Sequence, residues 1–127
     1  MDAPPPSRHD LVERRLAWLE QRQRVLSENV SNADTPGYRP RDISDFRQVL
    51  ARTAPDLVRT SDRHLSPASG PQVRRDRTTA EVAPNGNAVS LDREALRIAE
   101  TDQAHALTLG LHRRWSAMYR TALGRGG

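Results

Sequence analysis

No cysteine occurs in the 127 residues, which removes disulfide frameworks, thiol nucleophiles and cysteine-ligated metal from consideration. Lysine is absent too: all 20 basic side chains are arginine, set against 16 acids for a net charge of +4. Aromatic residues make up 4% of the chain and phenylalanine occurs once, so few large side chains are available to close a core, and one domain is the most this length supports. No apolar run approaches the roughly 18 residues that cross a bilayer, so no membrane span is expected. The start, Pro4-Pro5-Pro6 with charges from Arg8 onward, also lacks the apolar stretch of a cleaved signal. Export, if it occurs, is expected by another route and without cleavage.

Catalytic and ligand-binding arrangements are equally scarce. Of the four histidines, His9, His64, His105 and His112, only the last two share a helix face, and seven residues is a poor spacing for one metal, where three or four is usual. No nucleophile with its base, no carboxylate pair and no phosphate-binding loop stands in a pocket-forming context, and so small a core could hardly preorganise one. The sequence predicts no enzyme, no cofactor and no metal. The arginines are interleaved with acids instead of gathered on one face, and no nucleic-acid-binding motif is present, so nucleic acid is not an expected partner.

What the chain does have is two helical patterns separated by a turn and a proline-rich stretch. Ser7 with Asp10 three residues on reads as a capping box opening a helix near Arg8. Val12, Leu16, Leu19, Gln23, Leu26, Val30 and Ala33 then recur at spacings of four and three, a heptad seam broken once by Gln23. The helix must stop near Ala33, because in Thr35-Pro36-Gly37-Tyr38 the proline pushes Thr35 out of helical space and Gly37 offers the positive φ of a type II turn. Asn29 and Asn32, three apart on one side of the last turns, can reach freed carbonyls or neighbouring backbone. From Ala51 to Ala88 the few apolar residues are divided by Pro55, Pro67, Pro71 and Pro84, which predicts an extended connector with at most a weak strand pair and a turn at Asn85-Gly86. A second helix follows, with Ser90 as N-cap and Asp92 and Glu94 near its positive end. Its expected seam is Leu91, Ala95, Ile98, Asp102, His105, Leu109, His112, Ser116, Tyr119 and Leu123. Beside it lies a second stripe of Leu107, Leu111, Trp115, Met118 and Ala122, and Gly124, Gly126 and Gly127 end the helix. So wide an apolar arc suits a helix crowded by several neighbours.

The run Asn29-Val-Ser-Asn32-Ala-Asp34-Thr35-Pro36-Gly37-Tyr38, followed by Arg41-Asp-Ile and Asp45-Phe46, resembles the N-terminal signature of the bacterial flagellar basal-body rod proteins, in the FlgB-type, proximal-rod family. Val30-Ser31 stands where that family usually has Ile-Ala. Arg59-Thr-Ser-Asp-Arg-His64-Leu65 and Asn85-Gly-Asn-Ala-Val-Ser-Leu91 are similar to two further family segments, with Asn85 for the usual Asp and His105 for a usual aromatic. The resemblance implies a tube-forming subunit exported by the flagellar type III apparatus, with copies of itself, other rod proteins (FlgC, FliE and FlgF-like), the MS ring and the export apparatus as partners. It implies a site in the basal body, in the periplasmic space on the inner-membrane side. Phe46 with Leu50 is similar to the Phe-x-x-x-hydrophobic element by which such subunits engage the export gate; local packing is the other use open to Phe46.

The expected architecture is therefore all-α: a disordered tail over 1–7, long helices over 8–33 and 90–123 packed as a coiled-coil-like pair, and an extended, mostly irregular segment over 34–89. A small helical regulatory or chaperone-like binding module would use the same seams and stands as the rival function.

Overall fold

In the computed structural model, the described residues are 7–58, 71–77 and 82–124. Residues 1–6 of the expected tail over 1–7, the Arg59–Leu65 segment and the closing Gly126-Gly127 lie outside them, while Ser7 is described and caps α1. Two long helices dominate, α1 over Arg8–Ser31 and α3 over Leu91–Gly124. Between them come β1 (Arg41–Ile43), α2 (Phe46–Val58) and β2 (Val73–Arg75). The strands pair antiparallel with Ile43 opposite Val73 and Arg41 opposite Arg75. Of the short sheet only β2 falls in the Ala51–Ala88 stretch where a weak pair is expected, its partner β1 lying before it; α2 does not fit an irregular stretch. Its helix runs through Pro55, although an interior proline removes one donor and crowds the preceding turn.

Each helix begins and ends for local reasons. Ser7 accepts from the Asp10 amide while Asp10 accepts from the Ser7 amide, the reciprocal pair that satisfies two orphan donors of α1. That contact holds the Asp10 carboxyl below the usual aspartate range. At the other end Asn32 closes α1, its amide donating to the Glu28 carbonyl at 2.8 Å.

The helices run antiparallel: Asn29 meets Glu94, Glu20 approaches His105 at 3.8 Å, and the rings of His9 and His112 touch edge to face. At 1.5 Å per residue the 24 residues of α1 span roughly 36 Å and the 34 of α3 roughly 51 Å, so the last turns of α3 project beyond the start of α1. The core is correspondingly small: Trp18, Leu19, Val25 and Ile43, with Phe46, Val49 and Ala104 against it. The Trp18 indole donates to the Ser44 carbonyl at 2.8 Å, which seats β1 on α1. Helix α1 thus buries two faces, one toward α3 and one toward β1 and α2.

The seam on α1 has Leu19 and Leu26 buried, Leu16 half-buried and Val30 exposed. On α3 the inner face differs from the heptad expectation. Glu94 and Thr101 are its buried residues, Ile98, His105, Leu109, His112 and Ser116 are half-buried, and Ala95 and Asp102 face out. Leu91, Tyr119 and Leu123 are more than half exposed. A straight helix drifts against a strict heptad, and α1 is too short to cover the projecting end.

Candidate functional site: a lock between the helix ends

Where α1 stops and α3 starts, four segments converge on Asn29. This side chain is fully buried and uses its whole bonding capacity. Its amide nitrogen donates to the Arg41 carbonyl at 2.7 Å and to Glu94 Oε2 at 3.0 Å. Its Oδ1 accepts from the Arg41 amide at 2.9 Å and the Tyr38 hydroxyl at 3.1 Å. Both backbone groups of Arg41 are therefore held by one side chain, as a neighbouring strand would hold them, and the bond to Glu94 carries the same amide on to α3.

A second asparagine ties the loops. Asn87, buried, donates to the carbonyls of Asn32 at 2.9 Å and Thr35 at 2.6 Å, and its Oδ1 accepts from the Val89 amide. It thereby satisfies carbonyls freed at the end of α1. Thr35 donates to Asn32 Oδ1, and the Tyr38 amide bonds to the Thr35 carbonyl at 3.2 Å, closing the turn around Gly37 at φ +72°. The Asn85-Gly86 turn docks against it: the Gly37 amide donates to the Asn85 carbonyl at 3.0 Å and the Ala88 amide to the Tyr38 carbonyl at 3.0 Å. Gly86, at φ +81°, lies so near that a Cβ there would stand 3.3 Å from the Gly37 Cα. Asp34 and Pro36 are exposed on the turn.

Charge completes the lock. Glu94 is 1% exposed; burial pushes its carboxyl up, against the pull of the Asn29 hydrogen bond and the Arg97 guanidinium. Arg97 in turn pairs with Asp76, next to β2. Arg22 on α1 holds Asp42 of β1 through two hydrogen bonds. Burial also raises the Tyr38 hydroxyl above its ordinary range. These groups bond to one another, and the assembly is arranged as a fastener. At the far end, His9, Asp10 and Glu13 bring ligand-type atoms within 4.8 Å of one another on the exposed surface, but Asp10 already accepts from Ser7.

Of the residues singled out from sequence, the structure gathers Asn29, Asn32, Thr35, Gly37 and Tyr38 in the lock. Phe46 is half-buried with its ring 6.1 Å from that of Trp18 and under the Arg15 guanidinium, and Leu50 is half-buried one turn along α2. Asn87, Glu94, Arg97 and Asp76 were not foreseen. Glu94 reads as a helix-dipole acid and Asn87 only as one position of the Asn85–Leu91 family-like segment, and only their burial marks them otherwise.

The model for the family described as "Flagella basal body rod protein" matches residues 13–39, the span that carries most of α1 and the first turn of the lock. Curated relatives that match the chain bear the name flagellar basal body rod protein FlgB. That of Salmonella typhimurium is 34% identical over 70% of this chain and 72% of its own length. That of Cereibacter sphaeroides is 33% identical over 85% and 87%, and that of Agrobacterium fabrum 29% over 80% and 81%. Identity of a third sustained over most of both chains has one reading: the chain belongs to the family of flagellar basal body rod proteins of the FlgB type.

Proposed function

We propose that the chain is a structural, non-enzymatic subunit of the flagellar rod that polymerises with copies of itself into a helical tube, the lock fixing the angle at which the two helices are offered to neighbours. The observation that carries this is the uncovered apolar surface of α3. Leu96, Leu107, Leu111 and Met118 on its outer face, and Tyr119 and Leu123 on the seam line of its projecting end, are each more than half exposed, and Trp115 stacks on Tyr119 there. An apolar face of this extent marks an interaction surface, and a projecting helix end needs a neighbour to cover it. Further details rest on the family: FlgC-, FliE- and FlgF-like proteins and the MS ring as neighbours, and a place in the periplasm on the inner-membrane side. Type III export is a further proposal of the same kind, with Phe46 and Leu50 touching the export gate while the chain is unfolded and Phe46 packing on Trp18 afterwards. No helix among the described residues is long and apolar enough to cross a membrane. The relatives' names leave the binding-module reading without support.

Concentrating the purified chain tests the proposal. Negative-stain images should show filaments or open-ended aggregates, with helix content rising as they form. The paired change Leu111→Asp and Met118→Asp should abolish both. Monodisperse particles and constant helix content at every concentration would refute it.

A further inference from the structure

The two-stranded sheet puts like charges face to face. Arg41 stands directly opposite Arg75, and the ladder continues beyond the strands, where the Asp76 amide donates to the Pro40 carbonyl at 2.9 Å. In the same register Arg39 falls opposite Arg77. Because hydrogen-bonded and non-hydrogen-bonded pairs alternate along an antiparallel ladder, Arg41/Arg75 is of the non-bonded kind, whose Cα atoms are only about 4.5 Å apart. Residues two apart share a sheet face, so Arg39, Arg41, Arg75 and Arg77 form two successive arginine rungs on one side, all four exposed. Like charges directly opposite each other destabilise a sheet.

The nearby acids do not relieve this. Asp42 is taken by Arg22 of α1 and Asp76 by Arg97 of α3. Among the described residues no carboxylate pairs with any of the four arginines. Three of them, Arg39, Arg75 and Arg77, line a broad surface cleft of about 930 Å³ together with Arg74, Ile43 and the already paired Asp42 and Asp76. We propose that this arginine ladder is a docking site for an acidic protein segment, one that presents two carboxylates about one rung spacing apart. Two residues along a strand span roughly 6.8 Å, which an i, i+2 pair on a strand or an i, i+4 pair on a helix matches. Guanidinium forks bind carboxylates through paired hydrogen bonds, and a carboxylate seated between the rungs turns repulsion into attraction. A lipid surface fits less well, because interfacial binding also needs apolar anchors, and Val73 is the one exposed large apolar side chain on the strands. Single-stranded nucleic acid would want stacking aromatics, and none of the wall residues is aromatic.

The inference rests on the rod-subunit reading, which supplies the protein neighbours, and the experiment separates the two. In flagellated cells of the native host, a photo-crosslinking residue replaces Arg77, and Arg75→Glu with Arg77→Glu is made in parallel. Recovery of the unaltered chain in purified basal bodies tests the rod reading alone. With that in hand, crosslinked peptides should map to a protein segment carrying two acids at i, i+2 or i, i+4. The double charge reversal should reduce swimming, the double Arg→Lys change should keep most of it, and reversing the partner's two acids should restore it. Because Arg75→Glu places opposite charges across the sheet, the variant chain is expected to fold. Crosslinks to a segment without acids, to lipid or to nucleic acid would overturn the inference, as would normal swimming by the Glu variant.

Discussion

Replacing Asn29 with alanine tests the lock directly. The change leaves the Arg41 amide, the Arg41 carbonyl and Glu94 Oε2 without their partner in a fully buried position, and frees the Tyr38 hydroxyl to turn toward water. Each orphaned buried group costs about 1 to 3 kcal/mol, and a charged one such as Glu94 lies at the upper end. Allowing for relaxation, a loss of about 3 kcal/mol is expected, a large fraction of the ~5 to 15 kcal/mol that holds a typical domain together. Hydrogen exchange read by mass spectrometry suits this, because it reports local opening in a chain that does not need to melt in one step. Protection of peptides covering the Gly37, Arg41 and Ala88 amides should fall roughly 100-fold, each factor of ten being about 1.4 kcal/mol. Asn29→Asp should be no milder at neutral pH, since it turns the donor into a second acceptor facing Glu94 and the Arg41 carbonyl. Adding Glu94→Gln to it should recover part of the loss. Protection in Asn29→Ala within about threefold of the parent, well under 1 kcal/mol, would show that the convergence on Asn29 contributes nothing.

The two turn glycines should differ in severity. Gly37→Ala meets open space and suffers only the positive φ, about 1 to 2 kcal/mol, whereas Gly86→Ala adds to its own positive φ a tight 3.3 Å contact with the Gly37 backbone, so motility should fail sooner with Gly86. Pro36→Ala, acting mainly on the unfolded chain, should be milder than either. For Glu94 the folded carboxyl is raised above its unfolded value near 4.5, so the stability tied to its protonation is present below that value and lost as pH rises through the raised one. Glu94→Gln should flatten the pH dependence of denaturant stability in that window, and an unchanged slope would contradict the burial argument. Phe46→Ala should lower secretion measured in culture supernatants, while Trp18→Ala, which removes only the folded-state contact, should leave it near normal; equal losses would assign Phe46 to packing alone.

Local signals announced much of this protein. Ser7 with Asp10, and Pro36 with Gly37, act through neighbours a few residues away, so the ends of α1 were legible from the chain alone. The apolar excess of α3 likewise announced a helix that needs more than one neighbour. Helix α2 was masked by its proline, because the rule against interior proline is local and the half-buried side chains of Phe46 and Val49 against Trp18 are not. The burial of Asn29, Asn87 and Glu94 was decided only by tertiary structure: nothing within a helical turn of Glu94 distinguishes a solvated dipole partner from an acid that receives an amide 65 residues away. The arginine rungs are of the same kind, since Arg41 and Arg75 acquire their mutual repulsion only from the strand register. The sequence by itself determined where the backbone bends and which faces are apolar, which follow from short-range sterics and periodicity. The fold alone decided which polar groups meet, because that depends on contacts between distant segments.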